Sequence, residues 1–490
     1  MDSIWYNGVM LKMFRPLDKD IEAEAVVVGG GLAGLLTAYK LKEKGVPCVL
    51  LEANRICSGQ TGGTTAKVTA VHGQKFDRLL TAFGAEKARQ YVRANTAAID
   101  EYARIVEKEN IFCDFTFLPF YLYTAKESEP LYREYEAAKK LGLNAELLNN
   151  VALPVKITKA LRFEGQAQFN PVAFASGITN DLEIYENALV DSVEDGVLRA
   201  NGKTVRAKHI VIASHYPFVN APGYYFLRMH QARSYAAAFE NCAYLDGMYY
   251  GIDPDTLAYR NADGMLIASG CSHKTGECVG GEFAKISAKV RAIYPKAAEA
   301  ARWSAQDCMP PDSVPYIGRY SNSTENMYVA TGFGEWGMTS SMVAAEIISD
   351  MICGKENENA EIFSPQRGLG AAACELIANG LKTFDALALQ RLKSPEKSVK
   401  GLKNGEGAVV RYNGRDAAVY KDENGNVVHL TDWRLPTAAE IGIIVKFQTS
   451  SEVMDTVLGG ANYFCASGTV ATNIQGNNEG YFLRCIRDVY

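Results

Sequence analysis

The sequence predicts an α/β protein with a doubly wound parallel sheet, a second strand-rich domain, and a separate small β-rich module near its C-terminal end. Three observations predict this. An apolar β-branched run, a glycine cluster, an amphipathic stretch and a second apolar run follow one another between residues 25 and 53, which is one β-α-β unit. A second passage from strand through glycines to helix lies at residues 327 to 352. The spacing of apolar residues changes to short, turn-punctuated strands after residue 189 and again after residue 405. At 490 residues the chain is long enough for roughly two or three domains.

The elements follow in order. Ala25 to Val28 reads as a buried strand, Leu32 to Lys44 as its crossover helix with Gly45 as the stop, and Val46 to Leu51 as the parallel partner. Apolar residues at helical spacing predict a helix over Thr81 to Lys108, and a second over Glu129 to Leu141. The turns Glu194-Asp195-Gly196 and Asn201-Gly202-Lys203 separate Val193, Val197 and Val205, a β-meander that returns to the core sheet at Ile210 to Ala213. Tyr224 to Ser272 is strand-rich and supplies the second domain's sheet. Met327 to Ala330 then leads through Gly332 to Gly337 into the apolar helix Met338 to Ile352. Leu376 to Leu392 reads as an amphipathic helix and Lys393 to Gly407 as a linker. Beyond it, Asn413-Gly414 and Asn424-Gly425 predict hairpins.

Charge and composition remove several function classes. With 51 Lys plus Arg against 56 Asp plus Glu, the net charge of -5 gives no broad attraction for nucleic acid. Hydrophobic residues at 48% and charged at 22% place the chain among folded proteins. Eleven cysteines without a C-x-x-C pair suggest neither a disulfide framework nor a zinc knuckle, so a reducing, cytoplasmic setting is expected. No export signal is seen at the N-terminus, and the longest apolar stretch, Ala25 to Leu36, holds four glycines and is too short for a transmembrane segment.

Gly29-Gly30-Gly31-Leu32-Ala33-Gly34 fits G-x-G-x-x-G in a context that makes the match specific: a strand precedes it, a helix follows it, and an acid ends the next strand. Gly29 permits the tight turn, Gly31 lets backbone approach a pyrophosphate, and Gly34 allows close helix-to-strand packing. The helix start offers unpaired N–H groups and its positive dipole end to phosphate. Glu52, eighteen residues past Gly34, is placed for adenosine ribose hydroxyls and disfavours a 2'-phosphate, hence NADP. This Rossmann-type signature leaves FAD and NAD open, because both present the same ADP half. Ser58 to Lys67, small and polar, is able to wrap a ribityl-pyrophosphate chain, and equally able to be an ordinary loop.

The chain resembles the FAD-dependent oxidoreductases of the D-amino-acid oxidase and glycine oxidase type. Within them it is similar to bacterial members of the gamma-glutamylputrescine oxidoreductase kind that carry a C-terminal Rieske domain. Six blocks carry the resemblance in order: Ala25 to Gly34, Thr61 to Thr69, Ile210 to His215, Arg302 to Asp307, Pro315 to Gly318, and Ala330 to Thr339. The resemblance implies a discontinuous FAD-binding domain, 1–80, 145–222 and 300–370, interleaved with an antiparallel-sheet substrate domain, 81–144 and 223–299. Residues 371–404 form the amphipathic helix and linker, and 405–490 a degenerate Rieske-like module. The implied cofactor set is Gly29, Gly31, Leu32, Ala33, Gly34, Glu52, Ala53, Thr64, Thr65, Ala66, Lys67, Val190, Ser214, Gly332, Gly337, Met338 and Thr339. The helix starting near Met338 would stabilise negative charge on the reduced flavin. Attachment is expected to be noncovalent, since Ala305 falls near where a linking cysteine is sought and Cys308 is offset.

Flavin oxidation of a C–N bond needs a neutral nitrogen, a C–H held at the flavin and exclusion of water, so geometry carries most of the catalysis. Candidate catalytic residues from the expected substrate sheet are His273, Tyr259, Arg260, Arg228 and Tyr235, together with Arg233, while His72 and Lys67 are expected near the flavin. An Arg would clamp a substrate carboxylate and a Tyr would add a hydroxyl. Each also has a structural reading as a surface or packing residue. The expected function is oxidation of a small-molecule amine or amino acid to an imine, with oxygen or an unknown acceptor taking the electrons. Oxidation of an alcohol or hydroxy acid, or flavin binding without turnover, are the alternatives.

A Rieske 2Fe-2S cluster needs two Cys and two His. After His429 there is no histidine, and only Cys465 and Cys485 remain, so no such cluster and no other metal site is expected. Leu435-Pro436-Thr437 stands where Cys-Pro-His is sought, and a one-nucleotide slip interconverts such codons. A frame-shifted tail and a ligand-less module are the two readings.

Overall fold

The computed structural model describes residues 3–194, 196–275 and 281–368, together with the backbone of five short strands between residues 407 and 487. These fall into two units, one holding everything up to residue 368 except the neighbourhood of 276–281, the other holding the late strands.

The first unit is built on two sheets. The first has the order Tyr316–Arg319, Met327–Thr331, Lys203–Ile212, Ile21–Val28, Cys48–Leu51, Glu183–Tyr185. From Met327–Thr331 onward every pairing along it is parallel. Its central strand reads Ala25-Val26-Val27-Val28, buried on both faces as a parallel interior strand must be. The meander is present as Val190–Glu194 and Val197–Ala200, which join Lys203–Ile212 antiparallel. The helices Leu32–Glu43, Phe76–Lys108 and Gly337–Ile352 gather on one face, where Tyr102 donates its hydroxyl to Met338 O at 2.8 Å. Lys40, 4% exposed, ties the three together through Glu43, Glu101 and Glu346, a buried cation held by three acids.

The second sheet has nine strands, in the order Ala298–Met309, His230–Glu240, Met265–Lys274, Ala258–Ala262, Met248–Gly251, Thr116–Thr124, Lys159–Gln168, Lys67–Val68, with Ala145–Leu148 beside Lys159–Gln168. It is antiparallel except for Met248–Gly251 beside Thr116–Thr124, which are parallel. Two strands so distant in sequence have no hairpin to impose a direction.

This sheet draws on more of the chain than the expected boundaries gave it. Ala145–Leu148, Lys159–Gln168 and Ala298–Met309 pair in it, although 145–222 and 300–370 were assigned to the nucleotide domain. Conversely the helix Phe76–Lys108 packs on Gly337–Ile352, on the nucleotide side. Strand propensity is local, whereas the choice of sheet is made by pairing across hundreds of residues.

The two faces of the second sheet pack differently. Phe120, Leu122, Met248 and Ile267 join the apolar cluster that continues into the first domain. Tyr121, Tyr123, Tyr249, Tyr259 and Leu266 form a separate cluster with Ile286 and Val290 of the helix Glu282–Ile293. Neighbouring residues on one strand therefore look into different surroundings.

In the second unit Gly407–Tyr412 pairs antiparallel with Arg415–Lys421, with Tyr412 opposite Arg415; Asn413-Gly414 and Asn424-Gly425, where the hairpin turns are expected, lie outside the described residues. Val427–His429 adds to the same sheet, and Trp433–Arg434 pairs with Ile486–Arg487. The expected helix and linker at 371–404, Leu435-Pro436-Thr437, Cys465 and Cys485 lie outside the described residues.

Candidate active site

The first strand ends at Val28 and the chain turns through Gly29, whose φ of +115° suits glycine. A Cβ on Gly34 would stand 1.9 Å from Gly29 O, so this glycine sets the distance between helix and strand. A Cβ on Gly31 would meet only Thr61 Oγ1, at 3.4 Å, leaving its side of the loop open. Thr61 Oγ1 accepts from Leu32 N at 2.9 Å. Neither Leu32–Glu43 nor Gly337–Ile352 carries an acidic residue in its first turn, so both positive ends are left for a ligand.

Glu52 ends the second strand beside this turn. It accepts from Gly30 N at 2.5 Å and from Asn54 N at 2.8 Å, while Ala188 N donates to its carbonyl at 2.8 Å, bringing the segment before Val190 alongside. Burial raises the Glu52 carboxyl, against the backbone N–H groups that lower it. Ser214 closes the other side of the turn, its N 3.0 Å from a Cβ on Gly29.

The polar loop is fixed from two directions that sequence reading missed. Trp5 Nε1 donates to Thr64 O at 2.7 Å, Tyr6 donates to Cys57 O at 2.9 Å, and Ser3 donates to Gly62 O. From the second sheet, Arg260 donates to Thr65 O at 3.0 Å and Ala66 O at 2.5 Å while lying over the Trp5 ring. Ala66, at φ +54°, turns the chain into Lys67. The N-terminus showed no such role because Trp5 lies far from its partner in the chain and belongs to no motif.

At the second helix start Thr339 donates to Thr69 O at 3.0 Å. His72 stands behind it, Nε2 facing Thr69 O at 2.7 Å and Nδ1 facing Tyr91 Oη at 2.5 Å, so Tyr91 donates to Nδ1 and Lys75 donates in turn to Tyr91 at 2.9 Å. Burial holds His72 well below its usual range and Lys75 down at about 7. The His72 ring stacks on Trp336 at 5.0 Å. This is interior support for the helix start.

In front of it lies a cluster of titratable groups. Glu335 occupies the left-handed region at φ +72°, a strained position for a residue other than glycine. Its Oε1 accepts from Ser272 Oγ at 3.1 Å, and Tyr250 bonds to the same carboxyl. The backbone N–H of Glu335 donates to Asp307. Both acids are half-buried, and burial drives Asp307 up to about 7 and raises Glu335. Lys67, 8% exposed, donates to Thr65 Oγ1 at 3.1 Å; burial and Arg260 bring its amine down to about 7 while Glu335 opposes them. Desolvated acids beside a desolvated amine make this cluster the candidate for the reacting site. The sequence reading singled out neither Glu335 nor Asp307; an acid set between the glycines of Gly332 to Gly337 is the signal that could have found the first.

The substrate-side candidates separate by sheet face. Tyr259 is 3% exposed within the outer cluster, and Tyr235 packs edge-on to Phe283 of the outer helix at 5.0 Å. His273 stacks on Tyr235 and bonds to its hydroxyl at 2.9 Å. Arg233 lies opposite His273 and bonds Gln306 at 3.1 Å. Arg228 lies over Tyr316 at 4.3 Å and donates to Pro365 O. Arg260, 2% exposed, faces the nucleotide side but serves backbone carbonyls. Of the substrate-side candidates only Lys67 belongs to the cluster, with His72 behind it. A bulge between Arg233 and Tyr235 and the two-residue strand period decide which neighbours reach the cleft. Cys308 packs with Tyr225 and Tyr316 away from it. Among the described residues no group of three or more His, Cys, Asp or Glu is placed to hold a metal ion, and no helix is long and apolar enough to cross a membrane.

Comparison with known proteins places these features. Residues 24–351 match the model of the DAO family, FAD dependent oxidoreductase. The chain is 33% identical over 481 residues, 94% of each protein, to YhfW of Bacillus subtilis (strain 168), which is named for a Rieske 2Fe-2S iron-sulfur centre. It is 24% identical over 217 residues to gamma-glutamylputrescine oxidoreductase of Escherichia coli (strain K12), covering 41% of this chain and 50% of that one. Among solved structures, glycine oxidase from Geobacillus kaustophilus superposes with a TM-score of 0.61 at 17% identity, over 71% of this chain and all of that one. A strand, a glycine turn and a helix start without an acidic residue, with a second such helix start after another parallel strand, are thus the frame of a flavoenzyme, and the chain belongs to the DAO family of FAD-dependent oxidoreductases.

Proposed function

We propose that this FAD-dependent oxidoreductase oxidises the C–N bond of a small amine or amino acid to an imine, which water then hydrolyses. The observation that carries the reading is Asp307, on the inner face of the second sheet, receiving the backbone N–H of Glu335, whose carboxyl is held by Ser272 and Tyr250 and coupled to Lys67. An amine enters as a cation and must lose a proton before its C–H can leave as hydride. A carboxyl held at about 7 is matched to accept that proton. The same acids disfavour an anionic hydroxy acid. The relatives named for glycine and gamma-glutamylputrescine, both amines, support the reading.

The residues fit the cofactor. Gly31, Leu32, Ala33 and Gly34 would seat the pyrophosphate at the helix start, and Glu52 would take the ribose. Thr64 to Lys67 would line the ribityl chain, and Gly337, Met338 and Thr339 would face the pyrimidine end. Bound FAD supplies the two-electron acceptor. Trp5 and Arg260 hold the loop that receives it, Asp307 accepts the amine proton, and Tyr250 and Ser272 orient Glu335. Attachment is noncovalent in this proposal, Cys308 being packed among Tyr225 and Tyr316.

The test is anaerobic mixing of the FAD-loaded protein with amines, amino acids and hydroxy acids while the visible absorbance of the oxidised flavin is followed. Bleaching by amines or amino acids supports the proposal. Bleaching by hydroxy acids alone, or by nothing, rejects it.

A further inference from the structure

We infer that the preferred substrate is an amine without a carboxylate that carries a second cationic nitrogen, a di- or polyamine, with Asp307 facing the reacting nitrogen and Glu335 the distal ammonium. This rests on the amine-oxidation reading above and narrows it.

The argument is one of charge and commitment. A substrate carboxylate needs a guanidinium or ammonium to replace the water it leaves, because an unpaired buried charge is costly. The arginines in the second sheet, and Arg228 in the short helix Tyr225–Arg228 before it, are engaged elsewhere; Arg162 pairs with Glu146 and Glu164. Arg260 holds Thr65 O and Ala66 O. Arg228 is held by Tyr316 and Pro365, and Arg233 bonds Gln306 on the outer side. Arg302 lies over Phe283 of the outer helix, near Glu299. On the cleft side two ammonium groups couple to Glu335, and both are committed: Lys67 donates to Thr65 Oγ1 and Lys75 to Tyr91 Oη.

Glu335 stands between these amines and a second acid, Asp307. Asp307 shares its strand face with Trp303 and Ala301, residues of the cluster that joins the two domains, so its carboxyl looks inward. Glu335 comes from the loop before the second helix, its carboxyl fixed by Ser272 and Tyr250 and its backbone N–H pointing at Asp307. The site is preset for positive charge at two neighbouring positions. The Tyr250 and Trp336 rings, 5.1 Å apart, add aromatic surface beside the acids, on which a cationic alkyl chain can lie. Both acids are partly desolvated without a substrate, so an arriving dication would favour their ionised forms and displace protons.

The test uses FAD-loaded protein and four probes: 1,4-diaminobutane, butylamine, 4-aminobutyrate and alanine. Anaerobic flavin bleaching gives an apparent Kd for each, and calorimetry of diaminobutane at pH 7 in two buffers of different ionisation enthalpy gives the proton count. The inference expects diaminobutane to bind at least about tenfold more tightly than butylamine, 4-aminobutyrate more weakly than butylamine, and proton release on binding. Glu335→Gln, which keeps an acceptor for Ser272, should reduce the diamine preference to within about threefold. Tighter binding of alanine or 4-aminobutyrate than of diaminobutane in the unaltered protein overturns it, as does an unchanged preference in a folded, FAD-loaded Glu335→Gln. Bleaching by amino acids with none by diamines sinks this inference and leaves amine oxidation standing. Tight diamine binding with bleaching by hydroxy acids alone sinks the reaction and leaves the recognition standing.

Discussion

Gly31 and Gly34 belong to one motif, yet the structure assigns them different failures on substitution. A Cβ at Gly34 would stand 1.9 Å from Gly29 O and 3.1 Å from Gly29 C. Carbon-to-oxygen contacts of the Cα–H type settle at about 3.3 to 3.6 Å, so the first turn of the helix must retreat by more than about 1 Å. The obstacle is backbone, which has no rotamer to yield. Overpacking of this kind costs typically about 1–3 kcal/mol, and Gly34→Ala is placed at the top of that range. In a domain of this size that is a fall in Tm on the order of 5 °C, present even without FAD. A Cβ at Gly31 meets one side-chain oxygen at 3.4 Å, and its φ of -75° and ψ of 177° suit alanine. Gly31→Ala should leave the stability of the FAD-free protein within about 0.5 kcal/mol while weakening FAD at least about tenfold, because the new methyl occupies the open side of the loop. Thermal unfolding of both variants with and without FAD, and FAD titration by quenching of its fluorescence, separate the two effects. Equal FAD affinity in Gly31→Ala and the unaltered protein, or an undisturbed FAD-free Tm in Gly34→Ala, would refute the reasoning.

Other predictions follow from the same contacts. Asp307 is pushed up to about 7 from 3.8, so the folded chain keeps a proton that the unfolded chain has lost; this contribution to stability declines as pH rises from about 4 to 7. Lys67, brought down to about 7 from 10.5, contributes stability that grows from pH 7 to about 10.5, so urea titrations of the FAD-free protein should show a minimum near neutrality that Asp307→Asn makes shallower on its acid side. Since the base must be ionised, the anaerobic bleaching rate should rise with pH through about 7, and in Asp307→Asn it should be slower and nearly flat; an unchanged profile counts against Asp307 as the proton acceptor. Arg260→Met leaves the carbonyls of Thr65 and Ala66 without this donor at about 1–3 kcal/mol each, so it should lower Tm and FAD affinity together. Tyr259→Phe and His273→Gln, altered on the outer face, should change the bleaching rate by less than about threefold, and a hundredfold loss in either would contradict their placement.

What was legible in the sequence is what local rules govern. Ala25 to Leu51 announced strand, turn and helix because burial on both faces, the need for φ above zero at Gly29 and the close approach at Gly34 are met by neighbours in the chain. The helices Phe76–Lys108, Glu129–Lys140 and Gly337–Ile352 were readable from their apolar spacing for the same reason. The blocks ending at Asp307 and at Thr339 were both recognised, but not that they meet.

The substrate side obeyed another rule. Tyr259 and Arg260 are adjacent, yet one lies under the outer helix and the other beneath the nucleotide loop, since a strand turns alternate residues to opposite faces and a bulge near Arg233 locally resets the count. Which face becomes the cleft depends on how the second sheet docks on the first. Amino-acid order alone determined the dinucleotide cradle and the flavoenzyme family. Tertiary structure decided that Glu335 meets both Asp307 and Lys67 and that the arginines point elsewhere, because strand pairing and sheet docking join residues that no short-range periodicity connects.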